Sequence, residues 1–218
     1  MFRLGKVLQG AMAAIGWLVV CTAALAAQSA RPVDFAVARP SDDARYVAQW
    51  VIDRHDNRGL PFAVVDKTRA QVFVFDARGR IAGATPALLG QARGDHSAPG
   101  VGKLEPSRIP VADRTTPAGR FRSEPGINLS GEHVVWVDYH AGVAIHRLRP
   151  SPARQRRPQR LASATPKDNR VSLGCIVVPA AFYDGVVRPM LGQGKGAVYV
   201  LPETRPVREM FTPLEDDL

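Results

Sequence analysis

A mainly β domain with one or two helices is the fold class this sequence predicts, on three observations. Short apolar runs rich in β-branched and aromatic residues recur between turn signals, as in Gln71-Val72-Phe73-Val74-Phe75-Asp76 and Ala197-Val198-Tyr199-Val200-Leu201. The 218 residues include 19 Gly and 18 Pro, which favours many turns over long helices. Apolar residues make up 45% and charged residues 22%, a globular profile at a length that suits one domain with a real core.

The elements follow in order. Arg3 and Lys6 precede an apolar stretch from about Ala11 to Leu25, and Ala24-Leu25-Ala26 forms an A-x-A site. Residues 1–26 therefore read as a signal peptide cleaved before Ala27, the stretch being short for a span of about 20 apolar residues. Lipidation at Cys21 is disfavoured, because Val19 and Val20 precede it where a small residue is wanted. Residues 27–60 read as an extended lead-in, with Pro32 and Pro40, followed by a helix from Ser41 or Asp42 to about His55. Ala44, Val47, Ala48 and Val51 give that helix an apolar face.

Residues 61–203 carry the strand pattern. Phe62 to Asp66, Gln71 to Asp76 and Ile81 to Ala84 form a meander, with turns at Lys67 to Ala70 and at Ala77 to Arg80. Residues 90–108 read as a surface loop, and Thr116-Pro117-Ala118-Gly119-Arg120-Phe121 as a tight turn entering a strand. Glu132 to Tyr139 and Val143 to His146 form two strands around His140-Ala141-Gly142. Ser172 to Val178 is a further apolar run, Phe182 to Leu191 a helix, and Ala197 to Leu201 the final strand, before a polar tail over 204–218.

Export changes how the cysteines read. Of the two, Cys21 leaves with the signal, so Cys175 remains as a lone thiol in an oxidising compartment. It is either a reactive group or a buried, inert residue. A nucleophilic thiol needs a base, and the histidines are His55, His96, His133, His140 and His146. His146 ends the apolar strand Val143-Ala144-Ile145, where it can emerge from the core at a sheet edge. Gly174, just before Cys175, permits a tight turn whose backbone N–H groups can face an oxyanion.

The net charge is +9, or +7 once Arg3 and Lys6 are removed, which suits anionic wall material; export makes nucleic acid a poor partner. Between Arg147 and Arg170 lies a basic, Pro-rich segment with a single acid, Asp168. It reads as a solvated flexible loop, or as a docking arm for an anionic cell-wall polymer.

Four stretches, in order, resemble the L,D-transpeptidase catalytic domain of peptidoglycan enzymes. They are the hairpin Val64-Val65-Asp66 to Gln71–Asp76, the turn Thr116–Phe121, the strand end Ala144-Ile145-His146, and the nucleophile motif Ser172-Leu173-Gly174-Cys175-Ile176. The resemblance implies an L,D-transpeptidase-type β-sandwich and a cysteine acyltransferase that needs no metal or organic cofactor. Cys175 is the implied nucleophile, His146 its base, the Arg147 backbone carbonyl the third member, and the Gly174 and Cys175 N–H groups the oxyanion donors. Ser172 belongs to the same motif. The substrate would be a peptidoglycan peptide stem, met in the periplasm or cell envelope. The alternatives are a hydrolase of the same bonds, of L,D-carboxypeptidase type, and a catalytically weak wall-binding protein. The sequence departs from the family pattern at Leu173, often His, and at Val177, often Asn or Arg. The 29 positions separating His146 from Cys175 also exceed the usual family gap.

Overall fold

The computed structural model describes residues 32–212; the expected signal peptide, its cleavage site and Cys21 lie outside the described residues, as do residues 213–218. The chain is mainly β. Its strands are β1 (Phe62–Asp66), β2 (Gln71–Phe75), β3 (Ile81–Pro86), β4 (Leu89–Gly90), β5 (Gly119–Ile127), β6 (His133–Asp138), β7 (Val143–Arg147), β8 (Arg170–Ser172), β9 (Ile176–Val178) and β10 (Gly196–Val200). Eight of them form one sheet in the order β3-β2-β1-β10-β5-β6-β7-β9, while β4 and β8 pair separately. Most neighbours are antiparallel; β1 with β10, β7 with β9 and β4 with β8 are parallel.

Period-two alternation explains why β1, β2 and β10 are buried on both faces. Ala63, Val65, Val72, Val74, Val198 and Val200 point to one side, where they meet Val135, Ile145, Ile176 and Val178 from the far end of the sheet. The sheet thus curls around a shared core. Phe62, Val64, Phe73, Phe75 and Tyr199 point to the other side and are covered by helix α1 (Asp42–Asp53). Ser41 Oγ accepts the Ala44 N–H at 3.1 Å, and Asp42 and Asp43 sit at the positive end of α1. Val47 and Val51 are fully buried, each contributing about 1.5–3 kcal/mol by leaving water.

Several expectations from the sequence are corrected. Helix α1 stops at Asp53 rather than His55, which lies beyond it with φ +51°. The turn expected at Lys67 to Ala70 is present, with Thr68 and Arg69 exposed and Lys67 itself fully buried. The stretch 90–108 is largely exposed, as expected of a surface loop, but it carries 3-10 turns at Val101–Lys103 and Pro106–Arg108 and buries Val101; a third turn follows at Val111–Asp113. The run Ser172 to Val178 is broken, its two ends belonging to different sheets.

The basic segment is also folded rather than loose. It carries α2 (Arg157–Leu161) between 3-10 turns at Ala153–Gln155 and Pro166–Asn169. Leu161 is buried against Leu88 and Val177, with Leu148 and Val171 alongside. The helix expected from Phe182 is three joined pieces, α3 (Ala180–Phe182), a π-helical stretch (Tyr183–Val187) and α4 (Arg188–Leu191). Pro189 has no N–H to return to the preceding turn, so the ladder changes register there. The tail is polar in composition, yet α5 (Val207–Met210) lies within it, and Val207 and Phe211 are buried beside α1.

Candidate active site

His146 lies on β7 and Cys175 just before β9. Those strands run parallel, with Ile145 opposite Ile176 and His146 opposite Val177. Val143, Ile145, Ile176 and Val178 face the shared core. By alternation Ala144, His146, Cys175 and Val177 all lie on the other face. One step back along the register puts Cys175 beside Ala144, so His146 is its diagonal neighbour on an adjacent strand, within side-chain reach. Both residues line one cavity of about 490 Å3, together with Gly142, Ala144, Arg149 and Trp136. The strand β7 is interior to the sheet, between β6 and β9, so His146 does not emerge at an edge; it is 6% exposed.

The imidazole is held in one tautomer. Its Nδ1 lies 2.8 Å from the Arg147 carbonyl oxygen, which can only accept, so Nδ1 carries the hydrogen and Nε2 keeps a free lone pair. Burial, reinforced by the charges of Arg149 and Arg157, pushes the His146 pKa down to about 4 despite the Arg147 carbonyl and Glu132. The ring is neutral at neutral pH. Burial also raises the Cys175 pKa, and the Ala144 N–H, Arg149 and Arg157 offset this only in part. The resting pair is therefore a neutral thiol and a neutral imidazole. The thiol itself is directed to the Gly142 carbonyl, 3.5 Å from Sγ.

The turn at Gly174 and Cys175 is built from short internal bonds. Gly174 has φ +134°, and a Cβ there would meet the Thr115 carbonyl oxygen at 2.7 Å, so glycine is required on both counts. Ser172 Oγ accepts the Gly174 N–H at 3.1 Å and donates to the Cys175 carbonyl at 2.6 Å. The Gly174 N–H, expected to face an oxyanion, is engaged inside the turn in this geometry, and Ser172 spans that turn. Thr116 Oγ1 donates to the Gly174 carbonyl at 2.8 Å and accepts the Gly90 N–H at 2.9 Å. The turn motif and the nucleophile motif thus meet in space.

The other histidines stand elsewhere. His133 bonds Tyr183 Oη and the Gly192 carbonyl through its ring nitrogens, and none of His55, His96, His133 or His140 lines the cavity. Sequence reasoning missed Thr116, Gly142 and Arg149 as parts of the site. Thr116 lay within a quoted motif; the other two carried no local signal beyond a turn glycine and a basic run. Val177 has a structural reason, since it is the platform under Leu161. Among the described residues no group of three or more His, Cys, Asp or Glu could hold a metal ion. No described helix is long and apolar enough to cross a membrane.

No protein-family model matches the chain, and no curated protein matches it. Solved structures do. The helical cell shape determining protein Pgp2 from Campylobacter jejuni is similar at 16% identity and a TM-score of 0.43, over 67% of this chain and 49% of that one. An L,D-transpeptidase from Mycobacterium smegmatis is similar at 20% identity and a TM-score of 0.37, over 64% and 58% of the two chains. The catalytic domain of the Enterococcus faecium L,D-transpeptidase is similar at 19% identity and a TM-score of 0.34, over 64% and 95%. The chain thus spans about half the length of the Pgp2 chain it matches.

Proposed function

We propose that this chain is a cysteine acyltransferase that acts on peptidoglycan peptide stems, with Cys175 as nucleophile and His146 as base. The observation that carries the reading is the 2.8 Å bond between His146 Nδ1 and the Arg147 carbonyl, in the cavity that also holds Cys175. It leaves Nε2 as the acceptor on a rigid strand, which is what a general base requires. The choice of peptidoglycan stems rests on the ordered sequence resemblance.

In this reading the Cys175 thiol proton passes to His146 Nε2 as Sγ attacks the carbonyl of the third stem residue. The tetrahedral oxyanion is met by the Cys175 backbone N–H, since the Gly174 N–H is engaged by Ser172. Collapse breaks the peptide bond, the imidazolium returns its proton to the leaving amine, and the terminal D-amino acid departs. The thioester then passes its acyl group to an amine of another stem, with His146 taking a proton from that amine; water in its place would make the chain a hydrolase. Because thiol and imidazole are both neutral at rest, the nucleophile is generated in the substrate complex rather than stored as an ion pair.

The test is to incubate the chain with a tetrapeptide stem, and separately with a carbapenem, and weigh the protein. The reading expects release of the terminal D-amino acid and a covalent adduct at Cys175, both absent from Cys175→Ser. Neither release nor adduct with the folded chain would overturn it. Product masses with and without an added amine separate transfer from hydrolysis.

A further inference from the structure

The segment between β7 and β8 brings one arginine, Arg149, into the cavity that holds Cys175, and sets a second, Arg157, at the start of a helix packed on β9. Leu161 of α2 is buried on Val177, which lies two residues beyond Cys175 on the same face of the strand. That packing holds α2, which Arg157 opens, against the strand that follows Cys175. Arg149, just before the segment turns outward, lines the cavity with Cys175 and His146.

Their charges are unevenly balanced. Arg149 Nε lies 3.2 Å from Glu132 Oε2, but Arg147 shares that carboxylate at 3.5 Å. Arg157 is half-buried, and its Nε donates to the neutral Gln155 Oε1 at 2.7 Å. Among the described residues it has no carboxylate within ion-pair distance. Arg154 and Arg156, by contrast, project into solvent. Burial lowers the pKa of Arg157 and the charge of Arg149 lowers it further, while Cys175 acts in the opposite direction, so the two guanidiniums and the thiol lie within electrostatic range of one another. Holding a guanidinium partly out of water beside another one costs free energy unless an anion completes the group. A planar fork of N–H donors matches a carboxylate in particular.

We propose that Arg149 and Arg157 form a recognition site for a carboxylate of the acyl donor, seated between the α2 segment and Cys175. This deepens the acyltransferase reading and rests on it for the identity of the donor. A stem offers that carboxylate from two places, the side chain of the third residue and the terminus of the leaving D-amino acid.

The test uses two alkylating reagents that differ in one charge. Iodoacetate and iodoacetamide both displace iodide at the same thiolate, and only iodoacetate carries a carboxylate. The rate of modification at Cys175 is followed by peptide mass in the whole chain, for the unchanged protein and for Arg157→Gln, Arg149→Gln, their combination, and Arg157→Lys. Removing an arginine lowers the thiolate fraction for both reagents alike, so the iodoacetate-to-iodoacetamide ratio isolates recognition. The ratio is expected to fall roughly tenfold in the double variant, to fall in part in each single one, and to decrease with salt in the unchanged protein. Arg157→Lys should retain most of it, which also guards against a variant that merely unfolds α2. A ratio equal in the unchanged protein, Arg157→Gln and the double variant would overturn the site. Stems amidated at one or the other carboxylate then identify the source: the amide that lowers kcat/KM in the unchanged protein, and not in the double variant, marks the group that is read. A positive reagent ratio with no stem turned over would leave the anion site standing and sink the acyltransferase reading. Turnover with a flat ratio would do the reverse.

Discussion

At Cys175, burial and the two arginines pull the thiol in opposite directions, and burial wins. Alkylation by iodoacetamide should therefore keep rising with pH beyond the ordinary cysteine range; a plateau already reached at neutral pH would mean a stored thiolate–imidazolium pair instead. His146 moves the other way on its own scale. With its pKa depressed from 6.5 to about 4, it is available as a base down to mildly acidic pH, and the acid limb of kcat/KM should fall near pH 4. A limb near 6.5 would contradict the environment described. The same shift makes the folded state bind fewer protons than the unfolded chain between those values, so stability is full above about pH 6.5 and is lost as pH falls through 4. Gly174 is the third residue on which the site depends. Gly174→Ala forces a side chain into a left-handed conformation and against the Thr115 carbonyl, at a cost of about 1–3 kcal/mol, and should abolish turnover. Wild-type turnover in that variant would show the turn to be more compliant than its geometry implies.

The elements meet at Thr116. Its hydroxyl links β4, through Gly90, to the turn before β9, through Gly174. Thr116→Val keeps the shape and strands two buried backbone groups, so it should cost about 1–3 kcal/mol and lower kcat more than it raises KM. An unchanged kcat would leave Thr116 as a structural residue only. The sequence was most readable where an element is satisfied by its own pattern. Phe62 to Asp66 and Gln71 to Phe75 declare themselves because both faces of those strands are covered and positions 62–65 and 72–75 are all apolar. The Ser172–Val178 run reads as continuous by its apolar pattern, yet the turn that Gly174 permits breaks it with a positive φ, and composition alone does not assign the two halves to different sheets. The β7–β8 segment reads as a loop because one buried leucine, Leu161, is hidden among arginines and prolines. His146 and Cys175, singled out through their motifs, both line the cavity, whereas Arg149 and Gly142 reach it only by tertiary placement.

Across the whole molecule, the turn at Gly174 and Cys175 is tied to the far side of the sheet by a buried ionic cluster around Lys67. Its Nζ donates to the Gly94 carbonyl at 2.5 Å, to Asp95 at 2.8 Å and to the Thr116 carbonyl at 2.9 Å. Asp95 also accepts from Thr204 and from the Glu203 N–H, while Glu203 pairs with Arg170 at 2.6 Å and Arg93 at 3.1 Å. The β1–β2 turn, the loop before β5, β8 and the segment after β10 are thereby joined at one point, which includes Thr116, the residue whose hydroxyl bonds the Gly174 carbonyl. Burial pushes the Asp95 carboxyl up, but the bonds from Lys67, Thr204 and two backbone N–H groups outweigh it and hold it well below the usual carboxylate range. Its contribution is therefore complete above the ordinary carboxylate value and is lost as acid protonates it. Removing the cation while leaving the acids should be costly, because a buried carboxylate then lacks its partner. Lys67→Met is expected to lose about 3–5 kcal/mol in urea denaturation, and Lys67→Met with Asp95→Asn to lose less than Lys67→Met alone. Equal losses in the single and double variants would mean that Asp95 is satisfied by Thr204 and the backbone without Lys67, and that the cluster does not act as one clamp on the site.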